Sequence, residues 1–527
     1  MTIVKRQKKA CARGFRLIGF VVALALGLGP IPVAAQSAQA LVADSVKAMG
    51  GMNALRALKN QIVESEGKQF DSSSTPQPLG ATRQISSFRY TLTRQLDAPR
   101  VRLEWDGRNS ARNEPVRFVE TIDGAVGSLQ EGDGKTAKSS RLHPGRLATR
   151  LREEKRAPVN LLLIAAANKT LRRLPDVERD GARLQAVAFK DGDDEFHIYL
   201  DPKTHLPAQT DILEDDPLEG DSSYLLRYGD WRKVDKILLP FSYRYELNGR
   251  VLQEEQIKSV RHNLTFSADP YNIAPEIRNQ KTAVTPTASQ WILRRVAGNV
   301  SYQDLGRAPS IEWTQLADGV HKIAGSSHAT IVIEMRDHLV AVEGPLYEAR
   351  TAPVVQSIRE RFPNKPIRYV IPTHHHLDHA GGIRAFMAAG ATVVAPFSAL
   401  EFYRAVARAP HTRRPDSLER LKRAVVIESF GGGARALGDD SRRVEIYPLP
   451  TSHAQDLVVV YLPREKLLIE ADHISPRNGE VRPAPLVKEF MSAIDKLNLD
   501  IATIVGIHGD SASLQAARGA AQKGVGQ

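Results

Sequence analysis

The chain has 527 residues, 42% of them hydrophobic and 25% charged, which is ample for real cores and excludes wholesale disorder. At ~150 residues per domain the length admits about three domains or two large ones. The single cysteine, Cys11, excludes a disulfide framework and a cysteine-rich zinc module. No collagen period, heptad run or repeat of roughly 20–50 residues is present.

The first residues account for much of the formal charge of +12. Lys5, Arg6, Lys8, Lys9, Arg13 and Arg16 occur without an acid, Leu17–Leu28 is continuously apolar, and Val33-Ala34-Ala35 offers a small-x-small exit. This predicts a secretory signal over 1–35, cleaved near Ala35, since the apolar run is short of the ~20 residues a spanning helix needs. Removing those six basic residues leaves a charge of +6 and no cysteine. Nucleic acid is therefore not implied as a partner, and the expected location is periplasmic or secreted.

Residues 36–276 read as an N-terminal, largely antiparallel β-rich domain. A helix is expected around Leu41, Val42, Val46 and Met49, ended by Gly50-Gly51. Alternation then marks strands at Phe88–Leu96 and Val101–Gly107, and a meander follows from LQAVAFK to VLQEEQIKSV. Asn248-Gly249 is its strongest hairpin signal. One helix is predicted over Val159–Arg173. The strand rhythm resembles the half-barrel sheets of periplasmic lipoprotein carriers, which implies a groove for a lipid or peptide, although a purely structural role is the favoured reading. Two basic stretches, Arg141–Arg156 and Arg404–Arg423, are read as solvated faces; the first is the candidate for peripheral membrane or lipid contact. A polar, Pro-containing segment over 277–312 is expected to link to a second domain, 313–527.

That second domain changes rhythm. Three short strands (GVHKIAG, ATIVIEM, HLVAVEG) precede a helix over Tyr347–Arg361, the strand IRYVIP, a helix over Ile383–Ala389 and the strand TVVAP. Strand–helix alternation after a meander predicts a layered α/β or αββα architecture.

Between the strand ending at Pro372 and the next helix stands Thr373-His374-His375-His376-Leu377-Asp378-His379-Ala380-Gly381-Gly382. In extended backbone alternate side chains share a face, so His374 and His376 point together and His375 points away. That pair can hold one cation through ring nitrogens, and Asp378 and His379, where the chain turns, can address a second. His453, Asp472 and His508 each lie where an apolar strand runs out, the usual place for functional residues in α/β folds. His321, His328 and His338 lie on the opening strands and are read as structural or surface residues.

The motif resembles the T-H-x-H-x-D-H-x-G-G signature of the metallo-β-lactamase superfamily, over roughly Trp313 to His508. The resemblance implies an α+β chain: an αβ/βα metallo-β-lactamase sandwich preceded by the half-barrel-like β domain. It implies that His374, His376 and His453 hold a first metal, that Asp378, His379 and His508 hold a second, and that Asp472 bridges them, as in glyoxalase-II-like dinuclear sites. Two departures stand out: Val342-Glu343-Gly344 replaces the usual Asp-x-Gly turn, and His453-Ala454-Gln455-Asp456 replaces the usual turn after the third histidine. Glu343 and His473 are expected to orient ligand imidazoles.

Such a donor set suits zinc, with manganese or iron as alternatives. The expected function is a secreted dinuclear hydrolase that uses a metal-bridging hydroxide on an ester, thioester, lactone or phosphodiester of small size. Asp378 is the expected catalytic residue, orienting the nucleophile. A bridging aspartate is less typical of the superfamily's β-lactamases, so antibiotic hydrolysis is not expected. The alternatives are a mononuclear iron sulfur dioxygenase of the same superfamily, or a lipid- or peptide-binding protein with a vestigial metal site. Nothing in the sequence fixes the oligomeric state.

Overall fold

A computed structural model describes residues 36–71, 73–110, 115–132, 137–282 and 310–523. The expected signal segment 1–35 and the stretch 283–309 of the expected linker lie outside the described residues. Among the described residues no helix is long and apolar enough to cross a membrane.

Alternation in the first half builds one antiparallel sheet of 13 strands. In Arg100–Asn109 the buried Val101, Leu103 and Trp105 alternate with the more exposed Arg102 and Glu104, the period a half-buried strand imposes. Asn60–Asp71 lies mid-sheet; its successors step outward on one side as far as Lys138–Arg141. Helices Pro144–Lys155 and Pro158–Ala167 then precede Arg172–Arg179 at the opposite edge, and the meander returns until Arg250–His262 pairs with Asn60–Asp71. Leu41, Val42 and Val46 of the helix Ala38–Ala48 share a core with Leu161 and Leu162 and with the sheet residues Phe189, Phe196 and Ile198. Each such side chain contributes roughly 1.5–3 kcal/mol of burial. At the hairpin, Leu247 pairs with Arg250 and both Asn248 and Gly249 have positive φ, as a two-residue type I′ turn requires.

Two expectations need correction here. The helix expected to reach Arg173 ends at Ala167, because the Asn168 side chain accepts from Thr170 N at 2.8 Å and turns the chain. The basic stretch Arg141–Arg156 is not a solvated face: Arg146 and Arg150 pair with Glu120, Arg152 pairs with Glu214, and the fully buried Arg156 donates to the carbonyls of Thr210 and Tyr224. The start of the expected linker is also tied down, with Arg278 on Asp123 and Gln280 accepting from Arg141 N.

From Glu312 two more sheets form, one of seven strands and one of six. Their central strands, such as Thr330–Glu334, Leu339–Val342, Val458–Leu462 and Leu467–Glu470, are apolar on both faces, as strands covered on both sides must be. Ile331, Ile333, Val340, Val342 and Ile371 of the first pack against Val444, Ile446, Val458, Ile469 and Val505 of the second. On the outer face of the first lie Glu348–Arg361, Ile383–Ala389 and Leu400–Arg408, and on that of the second Pro485–Asp495 and Leu514–Gln522. The result is helix, sheet, sheet, helix: the expected αββα layering, within an α+β chain.

The sandwich is fastened to the large sheet by the second basic stretch, which is therefore not merely a solvated face. His411 Nδ1 lies 3.0 Å from Asp215, Asp221 accepts from Thr412 N and Arg413 N, Asp221 N donates to Pro410 O at 2.6 Å, and Arg413 pairs with Asp194. Gly220 has φ +67, and a Cβ there would collide with the Pro410 carbonyl. Gly181 has a similar φ, +74, but open space around it. Gly220→Ala is accordingly expected to cost about 2–4 kcal/mol, strain plus collision, and Gly181→Ala only about 1 kcal/mol; denaturant unfolding of the two variants measures the difference.

Candidate metal centre

The sandwich brings five strand ends to one edge. Ile367–Ile371 runs out into the histidine loop, Leu339–Val342 into Glu343, Arg443–Pro448 towards His453, Leu467–Glu470 into Asp472, and Thr503–Gly506 into His508. Gly381 and Gly382 let the following helix approach closely: a Cβ on either would strike the Leu346 carbonyl or the Thr351 side chain.

One nitrogen each from His374, His376 and His453 and one oxygen of Asp472 lie within 4.8 Å of one another. Asp472 Oδ2 is 3.2 Å from His374 Nε2 and 2.9 Å from His453 Nε2. The same carboxylate also faces the other side, with Oδ2 3.0 Å from His379 Nε2 and Oδ1 2.7 Å from His508 Nε2. The second convergent group consists of His328, His379 and His508. Asp378 sits beside it, with Oδ2 3.5 Å from His328 Nε2.

The outer nitrogens are engaged, which fixes which lone pair faces inward. Glu343, fully buried, accepts from Thr373 N at 2.7 Å and lies 2.9 Å from His379 Nδ1. His376 Nε2 donates to the Thr75 carbonyl at 3.0 Å, leaving its Nδ1 for a cation. Thr75 belongs to the loop between the strands Asn60–Asp71 and Arg83–Gln95 of the large sheet. The same loop accepts from Leu377 N at Ser73 O and from Gln455 N at Pro76 O. As expected, His375 turns away, bonding Asp456 at 2.7 Å. His473 makes no hydrogen bond to a candidate ligand imidazole: its ring nitrogens bond Ala471 O and Thr451 Oγ1, it stacks on Phe490, and it meets the His453 ring only edge-on, 5.8 Å between centroids.

His328 is the residue that sequence reasoning missed. Strand direction could have found it. Val320–Ala324 is antiparallel to Thr330–Glu334, which is antiparallel to Leu339–Val342, so the loop after Ala324 opens at the edge where Glu343 lies. His321 instead packs against Trp313, and His338 bonds Asp337.

Burial and the neighbouring charges act on these groups in opposite directions. Burial, followed by repulsion from His453 and His375, pushes His376 down to about 3, and burial with His508 nearby pushes His328 down to about 3. Burial opposes the charged form of His379 too, yet Asp472, Glu343 and Asp378 hold it well above the ordinary histidine value. Burial likewise opposes ionisation of Asp378 and Asp472, but the His379 charge, with the other imidazoles, holds both well below the usual carboxylate range.

The donors fit metal ions. The Nε2 atoms of His328, His379 and His508 are buried and make no well-aligned hydrogen bond, the last two facing Asp472, and a buried nitrogen left so, His328 above all, costs about 1–3 kcal/mol unless something else satisfies it. All the donors are imidazole nitrogens and carboxylate oxygens, a set suited to borderline and hard divalent cations.

Residues 344–508 match the family model of the metallo-beta-lactamase superfamily. The resemblance drawn from the histidine loop is thus borne out for this part of the chain. No curated protein matches. Among solved structures, a metallo-beta-lactamase from Pontibacter korlensis is 18% identical, with 40% of this chain and 97% of that one covered at a TM-score of 0.32. One from Hirschia baltica is 20% identical, with coverage of 40% and 96% and a TM-score of 0.30.

Glu343 is the buried acceptor for two donors, and an amide offers only one oxygen to them. Glu343→Gln is expected to lower affinity for the cation beside His379 by about 10–100-fold, with the first site unaffected; competition titration with a chromophoric chelator distinguishes the two.

Proposed function

We propose that the chain is an exported, dinuclear metal-dependent hydrolase whose substrate carries an ester, thioester, lactone or phosphodiester bond. The observation that carries this reading is the position of Asp472, whose carboxylate faces both histidine groups at 2.7–3.2 Å. His374, His376 and His453 would hold one cation, Asp378, His379 and His508 the other, with Asp472 shared. When bound, two such cations, zinc being the usual occupant, supply Lewis acidity and lower the pKa of an attached water from 15.7 toward about 7.

The chain's own residues do the rest. Asp378 opens the short helix Leu377–Ala380 with its carboxylate held in the ionised form. As a hydrogen-bond acceptor it would orient the attacking water. Glu343 and the Thr75 carbonyl keep the imidazoles of His379 and His376 in fixed tautomers, so the donors need no reorganisation. The side chains of His453, Asp472, His508 and Asp378 are 14–23% exposed, whereas those of His374 and His379 are fully buried. A substrate would approach from that open side.

Elemental analysis should find two divalent cations per chain, and a panel of esters, thioesters, lactones and phosphodiesters should reveal metal-dependent turnover. Asp378→Ala is expected to lower kcat about 10²–10⁴-fold. Wild-type turnover in that variant, or one iron with oxygen uptake in place of hydrolysis, would overturn the reading.

A further inference from the structure

We infer that His328 is a ligand of the second cation, so that this site offers three imidazoles in addition to carboxylate. The inference rests on the dinuclear reading above and goes beyond the seven donors that the family motif implies.

Position is the first argument. His328 lies on the loop Gly325–Ala329, and its imidazole forms the convergent group with His379 and His508. Its ring centroid is 4.1 Å from that of His508 and 5.0 Å from that of His379. Octahedral or tetrahedral nitrogens about one cation, each at ~2.0–2.1 Å from it, stand within about 4.2 Å of one another, and these rings have room to meet that condition.

The second argument is which nitrogen is available. His328 Nδ1 is 2.6 Å from Ser327 Oγ, so its outer side is engaged, as ligand imidazoles generally are. Nε2 is buried, faces the other two imidazoles and makes no well-aligned hydrogen bond, with Asp378 Oδ2 at 3.5 Å. His379 and His508 turn Nε2 toward the Asp472 carboxylate, and His328 Nε2 lies beside them with no aligned acceptor of its own, so a cation at this point would satisfy a buried nitrogen that the carboxylates leave unpaired.

The third argument is that the loop is built to hold this ring in place. Ser326 Oγ bonds the His328 carbonyl at 2.7 Å, Ala329 N donates to Ile507 O at 3.0 Å, and His508 Nδ1 donates to Ser327 O at 3.2 Å. The segments that carry His328 and His508 are thus bonded to each other. His321, in the preceding strand, is buried against Trp313 and Phe362 with no such neighbours, so burial of a histidine alone does not account for the arrangement.

A site with three imidazoles, Asp378 and the shared Asp472 is richer than the first site, and a high donor number suits octahedral cations such as cobalt or manganese. Cobalt(II) is accordingly the probe. Apo-protein is titrated with cobalt in the wild type, His328→Ala, His328→Gln and the control His321→Ala, following visible absorption and, by chelator competition, the affinity of each step. The expected result is two steps in the wild type and His321→Ala. Both His328 variants should keep the first step and weaken the second about 10–100-fold, with a changed absorption spectrum. Two wild-type steps with wild-type spectra in both His328 variants would overturn the assignment. If the variants fail to fold, proton NMR of the wild-type cobalt protein decides alone: the His328 ring N–H is expected among the strongly shifted imidazole N–H signals, and a spectrum that accounts only for the other ligand histidines overturns the assignment. If the wild type itself binds fewer than two cobalt ions, the dinuclear reading fails with it, an outcome distinct from loss of His328 alone.

Discussion

One carboxylate faces two sets of imidazoles, and much of the sandwich edge is arranged to hold it there. Asp472 follows the strand Leu467–Glu470 in a left-handed conformation, φ +72, which costs a non-glycine residue roughly 1–2 kcal/mol. The turn is held by Glu470, whose buried carboxylate accepts from His473 N and Ile474 N. Glu343 on the facing sheet adopts the same kind of conformation, φ +78. Each sheet thus ends one strand in a strained acid at the common edge. Strain of this kind persists where surrounding structure over-determines it, and here two packed sheets with apolar inner faces supply that constraint.

The large N-terminal sheet is not a bystander to this geometry. It reaches the centre through Ser73–Pro76, whose carbonyls meet Leu377, His376 and Gln455, and it is fastened a second time through Asp215, Asp221 and Asp194. A backbone carbonyl from one half of the chain therefore sets the tautomer of a ligand histidine in the other. This gives the sheet a physical role as a rigid partner of the site, independent of any groove it offers to a lipid or peptide.

What could be read from the sequence follows from how local each signal is. The strands, the Asn248-Gly249 hairpin and the αββα rhythm depend on periodicity within a few residues, and they were legible. So was the loop from Thr373 to Gly382, because four histidines within six positions have few other uses. His453, Asp472 and His508 could be found as strand-end residues, and the structure brings all three to the loop. His328 was hidden because its relevance depends on the direction of a strand three places away in the sheet. The ion pairs of Arg146, Arg152 and Arg413 were hidden for a related reason: their acidic partners are between 26 and 219 residues distant, and a run of basic residues looks the same whether it meets water or buried carboxylates.

The same distinction bears on specificity. The candidate donors are deepest at His374, His376 and His379 and most open at Asp378, His508, His453 and Asp472. The open side is bordered by the turn His453-Ala454-Gln455-Asp456, where the chain departs from the superfamily pattern, and this turn is tied to Pro76 through Gln455 N and to His375 through Asp456. The chemistry of the centre thus depends on residues shared with the superfamily. The open side itself is flanked by a divergent turn and by a loop from the N-terminal sheet. Both segments also hold candidate donors, the loop through the Thr75 carbonyl on His376 and the turn through His453 itself, so the open side and the donor geometry are coupled.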